Sequence, residues 1–171
     1  MRTNSWRAAG FFVLGRGPHD RHRALSHSID AGGQLKTRRI LIVDDEPTLR
    51  STLERALKTF NYKAVSVADP HSAYQMLDES SFDLVLLDLR LPQMAGDTFF
   101  LAIVRRWPRL LGRVILMSGA PPVEQEQWPP ELAACPILPK PFGLETLGNL
   151  VKSVLAKADA EPELREGNGQ A

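Results

Sequence analysis

The chain has 171 residues, 43% hydrophobic and 24% charged, with a formal net charge of +1. That is the profile of a globular protein long enough for one domain with a real core. The charge balance selects no class of partner, no apolar run approaches the roughly 18 residues of a membrane helix, and a lone cysteine, Cys135, excludes an internal disulfide, so a reducing, cytoplasmic setting is expected.

Charge is concentrated at the two ends. Residues 1–37 carry six basic against two acidic side chains, and residues 158–171 carry one against four. Within 1–37 the only apolar run is Phe11-Phe12-Val13-Leu14, and Gly10, Gly15, Gly17, Pro18, Gly32 and Gly33 interrupt the rest. A basic start before an apolar run is like a signal peptide, but the run is shorter than the roughly 7–15 residues of a secretory segment and no small-residue cleavage site follows. His19, His22 and His27 lie among Arg21 and Arg23 with no carboxylate or cysteine ligand beside them. A solvated basic arm is the reading there, not a metal site. Residues 1–37 are expected to form a flexible basic extension, and 158–171 a disordered polar tail.

The pattern changes at Arg38. Ile40 to Val43 is a continuous apolar strand, followed by Asp44-Asp45-Glu46-Pro47, a helix start with acids at the positive end of the helix dipole and proline in the first turn. Leu49, Leu53, Ala56, Leu57 and Phe60 then recur at three- and four-residue spacing, one helix face. Lys63–Val67 alternates and is β-branched, a second strand. Helix over 70–78, strand over 83–87, helix over 98–107 ended by Pro108, strand over 113–117, strand over 135–138 and helix over 144–156 complete the series. Between Ser118 and Lys140 stand six prolines, including Pro129-Pro130. Val123 to Gln127 has room for a turn or two of helix before those prolines stop it, so the fourth helix is expected to be short or distorted. Five strands alternating with helices predict an α/β fold, with a parallel sheet buried on both faces and right-handed crossovers.

Asp44-Asp45, Asp88, Ser118 and Lys140 each follow an apolar strand. In an open parallel sheet, ligands bind just beyond the carboxyl ends of the strands, so these side chains are expected to converge. Carboxylates at one strand edge suit Mg²⁺, which takes oxygen ligands and keeps several waters. A carboxylate can accept a phosphoryl group as an acyl phosphate. The Ser118 hydroxyl can donate to a phosphoryl oxygen, with small Gly119 and Ala120 beside it leaving room. Lys140, between Pro139 and Pro141, offers a point charge to pair with Asp88 or with phosphate. Singly, each has a plain alternative: a helix cap for Asp44 and Asp45, a turn residue for Asp88, a loop serine, a surface lysine.

Together they resemble the receiver domain of bacterial two-component response regulators over about residues 38–157. The matching segments are Asp44-Asp45-Glu46-Pro47, Asp88-Leu89-Arg90-Leu91-Pro92 with Gly96 beyond, Met117-Ser118-Gly119 and Lys140-Pro141-Phe142. The resemblance implies a doubly wound, flavodoxin-like sheet in the order 2-1-3-4-5. It implies that Asp88 is the phosphoacceptor, that Asp44 and Asp45 bind Mg²⁺ with Asp88 and the backbone carbonyl of Arg90, and that Ser118 and Lys140 bind the phosphoryl group. A sensor histidine kinase or histidine phosphotransfer protein is the implied donor. The module would promote its own phosphorylation and dephosphorylation without a separate catalytic domain. With no helix-turn-helix pattern before Arg38 and only a short tail after Lys157, it is expected to signal as a single domain, by protein contact or relay.

Two positions depart from that pattern. Ile137 stands where the family carries Tyr or Phe, and prolines crowd the fourth-helix region. Both bear on output, which leaves a receiver-like binding module that works without phosphate as the alternative. An aspartyl-nucleophile phosphatase would place an acid two residues after Asp88, where Arg90 stands. A nucleotide-binding domain would need a glycine-rich cradle, which the acidic turn after the first strand lacks. A DNA-binding regulator using the basic arm has little support.

Overall fold

Alternate residues of each apolar strand point to opposite faces of a sheet, and here both faces are covered. A computed structural model describes residues 27–29, 35–119 and 128–160. Its main sheet is formed by β3 (Arg39–Val43), β4 (Lys63–Val67), β5 (Leu84–Asp88), β6 (Val114–Ser118) and β7 (Ile137–Pro139). All neighbours are parallel, in the order β4-β3-β5-β6-β7, which is 2-1-3-4-5 when the five strands are counted along the chain. The doubly wound, flavodoxin-like fold expected from the sequence is the one found.

Leu41, Val43, Val85, Leu87, Val114 and Leu116 face α2 (Pro70–Glu79), α3 (Gly96–Arg106) and α4 (Pro130–Ala133) in one buried cluster. Ile40, Ile42, Leu84, Leu86, Ile115, Met117 and Leu138 face α1 (Pro47–Thr59) and α5 (Leu144–Ala160) in the other. β3, β5 and β6 carry almost uninterrupted burial, as central strands with two covered faces require. Trp107, at the end of α3, packs with Tyr74 on the first cluster, and Trp128 joins the same cluster.

Helix starts follow local chemistry. Pro47 opens α1, where a missing N–H has no partner to lose. Asp69 caps α2, its carboxylate accepting from the Ser72 backbone N–H at 2.9 Å and hydroxyl at 2.7 Å. Asn61, with φ of 63°, turns the chain from α1 into β4, a conformation asparagine tolerates better than most residues.

The sequence did not predict the single helical turn α4: Pro130, read with Pro129 as the stop for a turn over Val123 to Gln127, is its first residue, and the turn spans four residues. Proline is disfavoured inside a helix yet favoured at its first position. The turn expected over Val123 to Gln127 lies outside the described residues. Cys135, read as part of the fifth strand, lies just before β7 and is buried in the first cluster. α5 continues four residues beyond the expected end, because Leu155 and Ala158 extend its buried face.

Part of the expected N-terminal extension has structure. β1 (His27–Ile29) and β2 (Leu35–Thr37) pair antiparallel, His27 opposite Thr37. A ribbon held by backbone groups, which every residue but proline supplies in full, leaves little trace in side-chain patterning.

Candidate functional site

The residues that close β3, β5, β6 and β7 meet at the carboxyl end of the sheet. Asp88 is the last residue of β5 and Ser118 the last of β6, both buried; Asp44 follows β3 and is fully buried. Lys140 follows β7 and is half-buried, its backbone N–H donating to the Ser118 carbonyl at 2.8 Å. That bond continues the β6–β7 ladder one step beyond the strands and so delivers Lys140 to the site. The Lys140–Pro141 peptide bond is cis.

Carboxylate oxygens of Asp44, Asp45 and Asp88 all lie within 4.8 Å of one another. Asp45 is exposed, whereas Asp44 and Asp88 are not. The Lys140 ammonium donates to Asp44 Oδ2 at 2.9 Å and to Asp88 Oδ2 at 2.8 Å. Burial disfavours the ammonium and is the largest single influence on it; the hydrogen bonds and charges of the two carboxylates outweigh burial and hold the Lys140 pKa above its ordinary value. One cation thus bridges two buried acids that would otherwise repel.

The remaining carboxylate oxygens are held by backbone. Asp44 Oδ1 accepts from the Glu46 N–H at 2.8 Å, and Asp88 Oδ1 accepts from the Arg90 N–H at 3.0 Å. The Arg50 guanidinium donates to the Asp44 carbonyl at 2.7 Å. Gly96 is forced by the loop after Asp88: a Cβ there would sit 2.5 Å from Leu89 Cα and 2.6 Å from the Asp88 carbonyl oxygen. Only glycine allows α3 to start against the backbone that carries Asp88.

The four charged side chains singled out in the sequence therefore come together, and Ser118 ends the strand beside them with its carbonyl bonded to Lys140. Two features were not foreseen: the second bond from Lys140, to Asp44, and the Arg50 clamp on the loop after β3. An arginine six residues past Asp44 and one turn into α1 is the only sequence signal for the clamp. Ile137 is half-buried and borders an open groove with Glu145, Thr146, Asn149, Leu150 and Ser153 of α5.

An acidic triad and a lysine at the ends of parallel strands is the site that the resemblance implied, and residues 40–152 match the response regulator receiver domain. The chain belongs to that family. This receiver is 33% identical over 132 residues to the transcriptional regulatory protein BasR of Escherichia coli K12, covering 76% of the chain and 59% of BasR. It is 32% identical over 117 residues to the transcriptional regulatory protein TcrA of Mycobacterium tuberculosis, covering 68% of the chain and 46% of TcrA. The chain spans only part of each curated relative, 13% in the case of the sensor kinase CckA of Brucella abortus. The chemotaxis protein CheY4 of Vibrio cholerae matches the receiver with a TM-score of 0.63 and 25% identity, over 68% of this chain and 98% of that one. The response regulator TrrA of Thermotoga maritima, solved with Mg²⁺ and BeF, matches with a TM-score of 0.61 and 25% identity, over 69% and 99%.

Proposed function

We propose that this receiver accepts a phosphoryl group on Asp88 from the phosphohistidine of a sensor histidine kinase or histidine phosphotransfer protein. The observation that carries the reading is the buried Asp88 carboxylate, bonded to the Lys140 ammonium and grouped with the carboxylates of Asp44 and Asp45. In the transfer a P–O bond to Asp88 forms as the donor P–N bond breaks, and the electron pair stays on the departing imidazole.

The oxygen-rich cluster fits Mg²⁺. Asp44, Asp45, Asp88 and the backbone carbonyl of Arg90 would hold it, and it would offset charge on the incoming phosphoryl oxygens. Lys140 would transfer its bond from Asp88 to a phosphoryl oxygen, and the Ser118 hydroxyl would donate to another. Asp44, held by Glu46 and Lys140, fixes the inner wall of the site. Residues 38–157 act as the receiver domain. The output passes by contact with another protein or by relay, and a cytoplasmic location goes with this reading. No helix among the described residues is long and apolar enough to cross a membrane.

Ile137 and the prolines that crowd the fourth-helix region favour one second reading, a receiver-shaped binding module that works without phosphate. Intact mass after incubation with Mg²⁺ and a small phosphodonor separates the two. A Mg²⁺-dependent phosphoryl adduct on the parent, absent from Asp88→Asn, supports the first. No adduct on a folded parent selects the second.

A further inference from the structure

The amino end of the sheet, opposite the acidic site, carries a second concentration of charge that phosphoryl transfer does not use. Among the described residues β4 is the outermost strand of the main sheet and pairs only with β3, so one row of its backbone groups is left without a strand partner there. Along this edge runs a cleft of about 720 Å³ in which Arg39, Arg55, Lys58 and Lys63 face a single acid, Glu54, with Tyr62 in the lining. Arg39 is tied to the fold, its guanidinium 4.9 Å from the Phe82 ring centroid and its N–H donating to Asp83. Arg55, Lys58 and Lys63 are exposed. Four cations against one acid along an open strand edge suit an acidic extended segment, which can use both the charges and the backbone row.

Such a segment leaves the fold beside the cleft. Asp159, in the last turn of α5, is ion-paired with buried Arg38. The Arg38 carbonyl accepts the Lys63 N–H at 2.9 Å, so the end of α5 is one residue removed from the cleft wall. Residues 161–171 follow, with Glu161, Glu163 and Glu166 against Arg165 alone.

We propose that residues 161–171 occupy the cleft along β4, their glutamates paired with Arg55, Lys58 and Lys63. Eleven extended residues reach about 36 Å, against about 5 Å between neighbouring strands. In an extended chain Glu161 and Glu163 fall on the same side. The contact covers an edge that a second chain could otherwise extend, and salt loosens it.

Zero-length carbodiimide cross-linking of the full chain at low salt, with peptide mapping, tests this. The expected products are intramolecular amides joining Glu161, Glu163 or Glu166 to Lys58 or Lys63. Their yield falls several-fold in Arg55→Glu, an exposed change that keeps both lysines, and at high salt, where screening shortens to about 3 Å near 1 M. Links confined to Lys152 and Lys157 of α5, or links between two copies only, would overturn the proposal, as would yields indifferent to Arg55→Glu. Each readout is independent of Asp88 and of phosphate.

Discussion

Asp88 and Lys140, 52 residues apart in sequence, meet at 2.8 Å across the carboxyl end of the sheet. The same ammonium bonds Asp44, whose side chain is fully buried. Removing the cation leaves two buried acids facing each other, and their repulsion is what a divalent ion relieves. For Lys140→Ala we expect a folded protein with a lower melting temperature, and Mg²⁺ should raise that temperature more than it raises the parent's. Phosphoryl labelling should slow on the order of a hundredfold, the scale of losing one charge-stabilising donor. Labelling at the parental rate would remove Lys140 from the reaction.

Gly96 tests the loop that carries Asp88, the proposed phosphoacceptor. An alanine Cβ would lie 2.5 Å from the Leu89 Cα, a backbone atom that cannot rotate away. Gly96→Ala should cost about 1–3 kcal/mol through overpacking and also slow labelling, because the Asp88–Leu89 backbone must shift. Denaturant unfolding and labelling kinetics on one sample check both; unchanged stability would show that α3 can move instead.

Asp69 links stability to pH away from the site. Hydrogen bonds from the Ser72 backbone and hydroxyl hold its carboxyl below the usual range. Such a group binds fewer protons in the folded than in the unfolded chain. Its stabilisation is present above the ordinary carboxyl value of about 4 and is lost as pH falls through the lower folded value. Asp69→Ala should therefore lose about 1 kcal/mol at neutral pH, with the gap to the parent closing in acid. A gap independent of pH would mean that the charge plays no part in the cap.

Cys135 should be inert until the protein unfolds. Burial pushes its thiol up to about 11, so at pH 8 about one molecule in a thousand carries the thiolate. Reaction with an aromatic disulfide reagent should be far slower in native buffer than in denaturant. Equal rates would place the thiol at the surface.

The strands of the main sheet were legible because a strand buried on both faces is written as a continuous apolar run, as in Ile40–Val43 and Leu84–Leu87. The site was legible because each functional residue sits directly after such a run, where sheet geometry directs it. The helical turn that starts at Pro130 was not expected because proline's effect depends on position: it ends a helix from within and begins one at the first turn. The ribbon of β1 and β2 escaped notice because its pairing is made by backbone.

By itself, the sequence determined the α/β alternation and the placing of Asp44, Asp45, Asp88, Ser118 and Lys140 at strand ends, both of which follow from local patterning, while the sheet order came from the resemblance alone. Only the tertiary structure decided that Lys140 bonds both Asp44 and Asp88, that Gly96 lies against the backbone of Leu89, and that Arg38 ties the start of β3 to Asp83 and to Asp159 in the last turn of α5. Those are distances between segments remote in the chain, set by how helices pack onto the twisted sheet, and no local pattern of side chains encodes them.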